Sequence, residues 1–555
     1  MRYDKHQPRV AYFCMEYGLS EDLPIYAGGL GVLAGDILKT AHDLELPFVG
    51  VGILWKEGYT TQLINEDGWP YDKPATYTKD ALHDTGIIIH VIIRGEEVPV
   101  RVWRVDSFDN APLYLLDTAL PGSNFGWATQ RLYGGTSQDR IAQEIVLGIG
   151  GIRALEALGH TVDVYHFNEG HAVLAGIELI RRKKAKGYSF EEALETTRQE
   201  VVFTTHTPVM AGNEEHEHGL LQYMGAYDGL SHEEMCRIGD DPFNMTVAGL
   251  RLAHVANGVS KLHGMTARSM WSDKEDRAPI VAITNGVHVN TWMHPQMRRA
   301  YESRSGLWSP HMQAKRELLQ TIAKRTGSQL NHQSLLIGFA RRAALYKRPD
   351  LIFQRMDIME PLLDSGRIQL VFSGKAHPQD ESGKRLVSKI ADITLRFPRS
   401  VVFLENYDME LGRLLTAGCD IWLNNPQRPL EASGTSGIKA ALNGCLNLSV
   451  LDGWWPEGCQ HGTNGWQFGG GYEGPNQTKY DLANLYEVLL QEVIPTYYEN
   501  PAKWQDMMQA SVDMAYHRFS SKRMLTEYYN IMYQPPRTAK LLAEEIEQVV
   551  ATSWH

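Results

Sequence analysis

Cysteine is scarce in this chain of 555 residues. The cysteines are scattered and form no C-x-x-C pair: Cys14, Cys236, Cys419, Cys445 and Cys459. This spacing argues against a disulfide framework and against a cysteine-based metal site. We therefore expect no metal in the protein, and we expect a reducing, cytoplasmic compartment.

Long apolar runs are missing as well. No run approaches the roughly 20 apolar residues that span a bilayer. Residues 1–9 are polar and charged, which does not fit a signal peptide. We therefore expect no membrane partner.

Positive charge is in deficit, since 54 Lys and Arg face 66 Asp and Glu, for a formal net charge of -12. The densest basic run, residues 181–186, fits the solvated end of a helix, where cations meet the negative pole of the helix dipole. Nucleic acid is therefore not an expected partner. An anionic substrate stays possible because local charge in a cleft can oppose the global sign.

What the chain does contain is a regular alternation of short apolar, β-branched runs with helix-length amphipathic stretches. Residues 36–46, for example, place their apolar side chains on one helix face. Such alternation is typical of parallel sheets with crossover helices and predicts an α/β fold. The predicted strands are residues 10–15, 48–54, 162–167, 201–205, 280–284, 335–339, 368–372, 401–404, 420–423 and 446–450.

The length calls for more than one core, and we predict two doubly wound, Rossmann-like domains facing an active cleft. The first takes residues 1–320 and the second 321–520, because a fresh series of strands opens at Leu335. A β-hairpin over residues 87–105 is predicted as an insertion in the first domain. Residues 521–555 are helical in pattern and are predicted to pack back on the first domain.

Polar residues repeatedly follow the predicted strands, at the edge where open α/β sheets bind ligands. His206 and Asn285 each come directly after a strand of the first half. Loops of the second half carry three cations: Arg342, Lys347 and Lys375. The general polarity of loops explains any one of these but explains the repeated cations less well.

Two glycine-rich segments could bind phosphate, although the G-x-x-x-x-G-K-[ST] loop is absent. The first, Gly28-Gly29-Leu30-Gly31, precedes a helix expected to begin at Asp36, and its N–H groups could form an anion site or merely a tight turn. The second, residues 431–444 (EASGTSGIKAALNG), runs into a short helix.

In that second segment, Gly434, Thr435 and Ser436 offer backbone donors and hydroxyls that suit a phosphate. Lys439 lies just inside the helix among apolar neighbours, where burial should lower the pKa of its amine, as Schiff-base chemistry requires. The alternative is a capped helix with a surface lysine. Residues 214–218 (EEHEH) could suggest a metal, but their ligands are too adjacent to share one face, so a solvated loop is predicted.

Residues 431–444 closely resemble the cofactor-lysine segment of the glycogen and α-glucan phosphorylases. Further segments that resemble this family, in the same order along the chain, are residues 27–36 (AGGLGVLAGD), 206–208 (HTP), 285–286 (NG), 341–348 (RRAALYKR) and 405–407 (ENY). The resemblance covers roughly residues 10–455 and implies a glycosyltransferase of GT-B architecture. It implies an α-1,4-glucan phosphorylase, which uses inorganic phosphate to release glucose 1-phosphate from glycogen, starch or maltodextrin.

The resemblance also implies roles for particular residues. Lys439 would hold pyridoxal 5'-phosphate as a Schiff base, and Tyr407 would lie near this cofactor. The cofactor's phosphate would be surrounded by Gly434, Thr435, Ser436 and Lys347. The substrate phosphate would be bound by Arg342, Gly28, Gly29 and Leu30. The glucosyl hydroxyls would be bound by His206, Asn285, Glu431, Ser433 and Gly434, and Asn168 and His171 would lie on the sugar side of the cleft.

In the implied reaction the cofactor phosphate shuttles a proton through the substrate phosphate, which then captures the oxocarbenium-like sugar with retention. Such chemistry requires dense positive charge, from Arg342 and Lys347, and exclusion of water. The resemblance assigns Lys439, Arg342, Lys347 and His206 to catalysis and implies a homodimer as the family's habit.

Some residues depart from the pattern of the large phosphorylases. Ser436-Gly437-Ile438 replaces G-N-M, and Ala343-Ala344-Leu345 replaces more polar residues, which resembles a shorter prokaryotic branch. Control by phosphorylation or nucleotides is not expected, because the first strand begins almost at once. The alternatives are a nucleotide-sugar-dependent glucan synthase, a glycoside hydrolase, which would need a carboxylate pair, and a glucan-binding protein without activity.

Overall fold

The computed structural model describes residues 7–538, 540–543 and 545. The chain forms two compact units. The first unit consists of the described residues up to Tyr59, of Pro74–Thr284 and of the described residues from Met524 onward. The second unit consists of Thr60–Lys73 and Asn285–Arg523.

This division lies earlier in the chain than the predicted boundary after residue 320. The helices that precede residue 320 contribute to the core of the second unit, where Met297, Ala300 and Leu318 are buried. The inclusion of Thr60–Lys73 in the second unit was not predicted. The residues from Met524 to Tyr533 pack into the core of the first unit, whereas residues 521–523 belong to the second. The rest of the predicted C-terminal segment from residue 546 lies outside the described residues.

The strands are, in chain order, β1 (Val10–Phe13), β2 (Phe48–Ile53), β3 (Thr61–Ile64), β4 (Pro70–Lys73), β5 (His83–Ile93), β6 (Glu96–Val105), β7 (Leu113–Asp117), β8 (Val164–Asn168), β9 (Val201–Thr204), β10 (Glu215–His216), β11 (Phe243–Asn244), β12 (Val255–Gly258), β13 (Ile280–Ala282), β14 (Leu335–Ala340), β15 (Ile368–Ser373), β16 (Val401–Leu404), β17 (Ile421–Asn424), β18 (Leu446–Val450) and β19 (Gly465–Phe468).

The α-helices of the described residues are α1 (Gly29–Asp43), α2 (Ser137–Ile145), α3 (Gly151–Ala157), α4 (Leu174–Ala185), α5 (Phe190–Arg198), α6 (His218–Met224), α7 (His232–Gly239), α8 (Met245–Leu252), α9 (Lys261–Met270), α10 (Val289–Trp292), α11 (Pro295–Glu302), α12 (Trp308–Thr326), α13 (Met356–Asp364), α14 (Glu381–Arg396), α15 (Met409–Gly418), α16 (Ser436–Leu442), α17 (Trp455–Gly458), α18 (Gln477–Val488), α19 (Ile494–Glu499), α20 (Pro501–Arg518) and α21 (Ser521–Glu527). None of these helices has the length and apolar character that crossing a membrane requires.

The first unit is built on a sheet in the order β13-β12-β9-β8-β1-β2-β7-β6-β5. The strands from β13 to β7 pair in parallel, and β7, β6 and β5 pair antiparallel. The predicted hairpin is therefore confirmed, and it extends one edge of the main sheet instead of standing apart from it.

The second unit is built on a wholly parallel sheet in the order β16-β15-β14-β17-β18-β19. Counted within the unit this is 3-2-1-4-5-6, the order of a doubly wound sheet, which binds ligands where the order reverses beside its first strand. The polar loop after β14 therefore lies at that point of reversal.

All ten strands predicted from apolar runs are present, within two residues at their ends. Three strands of the two main sheets, β7, β12 and β19, were missed. The run in β12 is VANG and the run in β19 is GWQF, so each has few β-branched residues and a glycine at one end. Their pairing in the middle or at the edge of a sheet compensates for weak local propensity.

Helix α1 begins at Gly29, so the expectation that it begins at Asp36 is wrong. Its internal glycines are required by packing. A Cβ atom on Gly35 would lie 1.9 Å from the carbonyl oxygen of Gly18, and one on Gly31 would lie 2.7 Å from Oε2 of Glu16. Gly28 is thus the N-cap residue of a 15-residue helix, and Gly29 and Leu30 form its first turn.

Candidate functional site

A buried cluster of charges lies in the second unit, in the loops after β14 and β17. Arg341 follows β14 directly, and a single 3₁₀ turn, Leu345–Lys347, brings Lys347 into the interior. Nη2 of Arg341 donates a hydrogen bond of 2.8 Å to Oε2 of Glu431, and Nζ of Lys347 donates to the same oxygen. The side chains of Arg341, Lys347 and Glu431 are 9%, 8% and 11% exposed, so little water screens their charges.

This cluster carries a net positive charge. Burial by itself would raise the pKa of Glu431, but the charges of Arg341, Lys347 and Arg342 lower it to about 2. Glu431 is therefore ionised throughout the physiological range. The backbone N–H of Glu431 donates to Asp452, whose pKa rises to about 7 through burial and the nearby charge of Glu431.

Three buried polar atoms of Arg341 and the adjoining Ser433 have no hydrogen-bond partner among the described residues: Nε and Nη1 of Arg341 and Oγ of Ser433. Oδ1 of Asn285, in the same unit, is in the same state. Buried polar groups are rarely left in that state, so such atoms call for a ligand. Two free N–H groups on one guanidinium match the geometry of a phosphate oxyanion.

The segment that follows Glu431 wraps around it. Gly434 has φ +80°, a conformation that other residues rarely adopt, and a Cβ atom there would lie 3.2 Å from the Glu431 side chain. Thr435 is the N-cap residue of α16 and Ser436 is its first residue. Oγ of Ser436 accepts a hydrogen bond of 3.2 Å from Nε1 of Trp422, so this hydroxyl already has a protein partner.

Lys439 lies in α16 and is 5% exposed, so the alternative of a surface lysine is wrong. Its Nζ lies 3.6 Å from the ring centroid of Trp292, a close cation–π contact. Tyr407, in the loop after β16, is partly buried, and burial raises the pKa of its hydroxyl.

The three cations singled out in the loops differ in their surroundings. Only Lys347 pairs with Glu431, while Arg342 is exposed and acts on Glu431 through its charge. Lys375 donates a hydrogen bond of 2.7 Å to the carbonyl of Thr60, and burial lowers the pKa of its amine to about 8. Lys375 thus anchors the β3–β4 hairpin.

In the first unit, the N-terminus of α1 is held by Glu16. Oε2 of this carboxylate accepts the N–H groups of Ala27 at 2.6 Å and Gly28 at 3.1 Å, and Oε1 accepts the hydroxyl of Tyr133 at 2.7 Å. A Cβ atom on Gly28 or Gly29 would meet nothing within 4 Å. The start of the helix therefore faces open space, as an anion site requires.

His206 is positioned by the loop after β8. Its Nε2 is 2.7 Å from Oδ1 of Asn168, and its backbone N–H donates to Oε1 of Glu169 at 2.6 Å. Glu169 adopts φ +74° and also accepts from Gly170 and Thr207. Burial lowers the pKa of the His206 imidazole to about 3, so this side chain is neutral. Its Nε2 donates to Oδ1 of Asn168, and its Nδ1 can therefore only accept.

Residues 214–218 do not form the solvated loop that was predicted, because His216 and His218 are buried. Nε2 of His216 lies 2.9 Å from Oε2 of Glu144, and Glu214 accepts from Arg140. Burial raises the pKa of Glu144 to about 8 and that of Glu214 to about 7. These partners are not apparent from the sequence, because Glu144 and Arg140 lie on α2, far from residues 214–218 along the chain.

His171 lies close to this cluster, with its Nε2 4.0 Å from Oε2 of Glu214. Burial, with the charge of Arg140, lowers the pKa of its imidazole to about 3. Its Nδ1 is buried and has no partner among the described residues.

Sequence reasoning placed Arg341 after a predicted strand but gave it no role, and it missed Glu16 and Trp292. Glu16 follows the end of β1, so the rule that ligands bind beyond strand ends could have found it. Trp292 gives no signal in the sequence, since only folding brings α10 against α16.

Comparison with known proteins agrees with this geometry. The family of carbohydrate phosphorylases matches residues 296–460, which include the charge cluster and Lys439. The maltodextrin phosphorylase of Thermococcus litoralis is 39% identical over 96% of this chain and 71% of its own length. The glycogen phosphorylase of Aquifex aeolicus is 36% identical over 98% of this chain and 88% of its own length.

An uncharacterized protein of Methanocaldococcus jannaschii is also similar, with 35% identity over 94% of this chain and 99% of its own length. Identity at this level over nearly the whole chain extends well beyond the segment that the family model matches. The chain belongs to the carbohydrate phosphorylase family, and it is an enzyme of the glycosyltransferase type.

Proposed function

We propose that this protein is an α-1,4-glucan phosphorylase that releases α-D-glucose 1-phosphate from the non-reducing end of glycogen or maltodextrin, reversibly and with retention. One observation carries the proposal: Arg341 and Lys347 are buried around a single carboxylate, and two N–H groups of Arg341 have no protein partner. A site with surplus buried positive charge binds anions, and phosphate is the anion that phosphorolysis consumes.

The residues present also fit pyridoxal 5'-phosphate. Lys439 is a buried primary amine at the end of the same segment that carries Gly434, Thr435 and Ser436. Lys439 would hold the aldehyde carbon, Tyr407 would lie near the cofactor, and Lys347 with residues 434–436 would surround its phosphate.

When bound, this cofactor supplies a phosphate group that can exchange a proton with the substrate phosphate. The protein's own residues bind and orient the reactants. In the second unit, Arg342 binds the substrate phosphate, and its positive charge stabilises the charge that the phosphate carries at the transition state. In the first unit, the helix start at Gly29 and Leu30 is by itself a candidate anion site. Arg342 is exposed, which suits an exchangeable ligand.

The hydroxyls of the glucosyl unit require hydrogen-bonding partners, most of which can be uncharged. His206 is neutral and offers one imidazole nitrogen. Within the described part of the chain, Oγ of Ser433 and Oδ1 of Asn285 are buried without a partner, so they are available to bind sugar hydroxyls. Glu431 is ionised and accepts a hydroxyl proton in a hydrogen bond. Burial of these groups limits the water that would otherwise divert the reaction to hydrolysis.

The family membership does not favour the alternative of a nucleotide-sugar-dependent glucan synthase. The wholly parallel sheet of the second unit is compatible with either enzyme. We place both units in the GT-B class on the strength of the family. The buried Lys439 distinguishes a phosphorylase from a synthase, because a synthase does not need an amine at this position.

The decisive experiment measures glucose 1-phosphate release from maltodextrin by the protein loaded with pyridoxal phosphate, with and without inorganic phosphate. We expect release only with phosphate. Lys439→Ala should abolish release and also the cofactor absorbance of the dialysed protein, while Lys503→Ala, an exposed lysine of the same unit, should retain both.

Other products would contradict the proposal. Free glucose without phosphate would identify a hydrolase. Glucan growth from a nucleotide sugar, with no requirement for Lys439, would identify a synthase. No product from any of these substrates would leave a binding role.

A further inference from the structure

We propose that this protein binds one Zn²⁺ ion in the first unit through His218, His232 and Cys236. These residues lie outside the site described above. His218 is the first residue of α6, His232 is the first residue of α7, and Cys236 follows it on α7. The four-residue spacing of His232 and Cys236 puts both side chains on one helix face.

The distances fit a tetrahedral zinc site. Sγ of Cys236 is 3.5 Å from Nε2 of His218 and 3.5 Å from Nε2 of His232. With Zn–S of about 2.3 Å and Zn–N of about 2.0 Å, sulfur and nitrogen ligands lie about 3.5 Å apart at a tetrahedral centre. The three candidate ligand atoms all lie within 4.8 Å of one another. One ion can therefore reach all three after small side-chain movements.

The hydrogen bonds around the cluster fix the protons of the metal-free state. Nε2 of His218 is 2.7 Å from the carbonyl oxygen of Asp240, which can only accept, so this nitrogen carries a proton. Nδ1 of His218 must then accept from the hydroxyl of Tyr227, 2.8 Å away. The oxygen of Tyr227 in turn accepts from Nδ1 of His232 at 3.0 Å.

This chain of bonds leaves Nε2 of His232 without a proton, with its lone pair available toward Cys236. When the ion binds, the proton of His218 moves from Nε2 to Nδ1, and the oxygen of Tyr227 then accepts from both imidazoles. The Cys236 thiol loses its proton to solvent. The step thus forms two Zn–N bonds and one Zn–S bond and releases one proton, with no oxidation or reduction.

Tyr227 fulfils the requirement that metal-binding imidazoles donate their other N–H to a fixed acceptor. Rings of His218 and His232 are held at 80° to each other, with centroids 4.8 Å apart.

The donor set selects the metal. One thiolate and two imidazoles suit Zn²⁺, whereas Mg²⁺ and Ca²⁺ prefer oxygen ligands. The scattered cysteines led us to expect no metal. That expectation did not consider this site, because two of its three ligands are histidines and His218 is distant from Cys236 in sequence. The ion would connect α6 to α7 and stabilise the first unit, with water or the Asp240 carbonyl as the fourth ligand.

The test uses the full-length protein, freed of metal by a chelator and titrated with zinc against a chromophoric competitor. We expect one equivalent to bind with release of one proton, and cobalt to give the thiolate charge-transfer band of a tetrahedral site. At a hundredfold excess of zinc over its dissociation constant, the unfolding constant of the chain should fall about a hundredfold.

Cys236→Ser and His232→Ala should each weaken zinc binding by more than about a hundredfold, since both remove a direct ligand. His232 is exposed, so its loss leaves the core intact. Cys459→Ser, another partly exposed cysteine, is the matched control and should bind zinc normally. Failure of the folded wild-type protein to bind zinc, or unchanged affinity in Cys236→Ser, would overturn the proposal.

Discussion

Glu431→Gln should destabilise the protein by about 3 kcal/mol at pH 7. The substitution keeps the shape of the side chain but removes the negative charge that Arg341 and Lys347 share. The pKa of Glu431 falls from 4.5 to about 2 on folding. At about 1.36 kcal/mol per unit, this difference corresponds to about 3 kcal/mol of folding free energy. Removing one partner of a buried ion pair lowers the free energy of unfolding by a similar amount, about 3–5 kcal/mol.

The pH dependence of this effect has a definite sign. A carboxylate whose pKa is lowered in the folded state stabilises the fold above its unfolded pKa. That stabilisation disappears as pH falls from 4.5 toward 2, where Glu431 itself becomes protonated. The difference between wild type and Glu431→Gln should therefore shrink as the pH falls below 4.5.

Urea unfolding of the full chain, followed by tryptophan fluorescence, measures this difference. The control is Glu302→Gln, which disrupts an exposed pair with Arg298 and should cost at most about 0.5 kcal/mol. Inorganic phosphate should restore stability to Glu431→Gln more than to the control, because it replaces the missing negative charge. Equal costs for the two variants, or no effect of phosphate, would refute the reasoning.

Further substitutions test other parts of the site. Gly35→Ala should lower the free energy of unfolding by about 3 kcal/mol or more, because its Cβ would lie 1.9 Å from a backbone oxygen. Gly29→Ala should leave the free energy of unfolding unchanged and raise the KM for phosphate. An unchanged KM would contradict the anion site at α1. Arg341→Gln should raise the KM for phosphate by about 10- to 100-fold, and the exposed Arg367→Gln should not. Burial lowers the pKa of His166 to about 3, so its stabilisation of the fold should be lost as pH falls from 6.5 to 3; a constant difference in unfolding free energy between wild type and His166→Gln over that range would contradict this.

Local patterns were sufficient where local chemistry decides the outcome. The ten predicted strands are apolar runs whose burial the sheet only completes, so their positions follow from composition alone. The segment from Glu431 to Lys439 combines a glycine that must adopt positive φ with an apolar helix, and both features are legible in the letters. Lys439 was accordingly expected to be buried, and it is.

Predictions failed where distant residues decide the outcome. The glycines before Asp36 indicated a turn, yet most of them belong to helix α1. Gly35 is a glycine because the backbone of Gly18 lies against it and leaves no room for a Cβ atom. The acidic and histidine residues at 214–218 indicated a solvated loop, yet Glu144 and Tyr227 bury His216 and His218. Propensity contains no information about such partners.

The sequence by itself therefore determined the α/β class, the parallel strands, the polar loops at the strand ends and the buried position of Lys439. Only the tertiary structure decided that Arg341 faces Glu431, that Trp292 covers Lys439, and that two histidines and a cysteine converge between α6 and α7. The physical reason is that strand formation depends on residues near in sequence, while charge pairing, burial and ligand geometry depend on groups that approach only when the sheet and its helices pack.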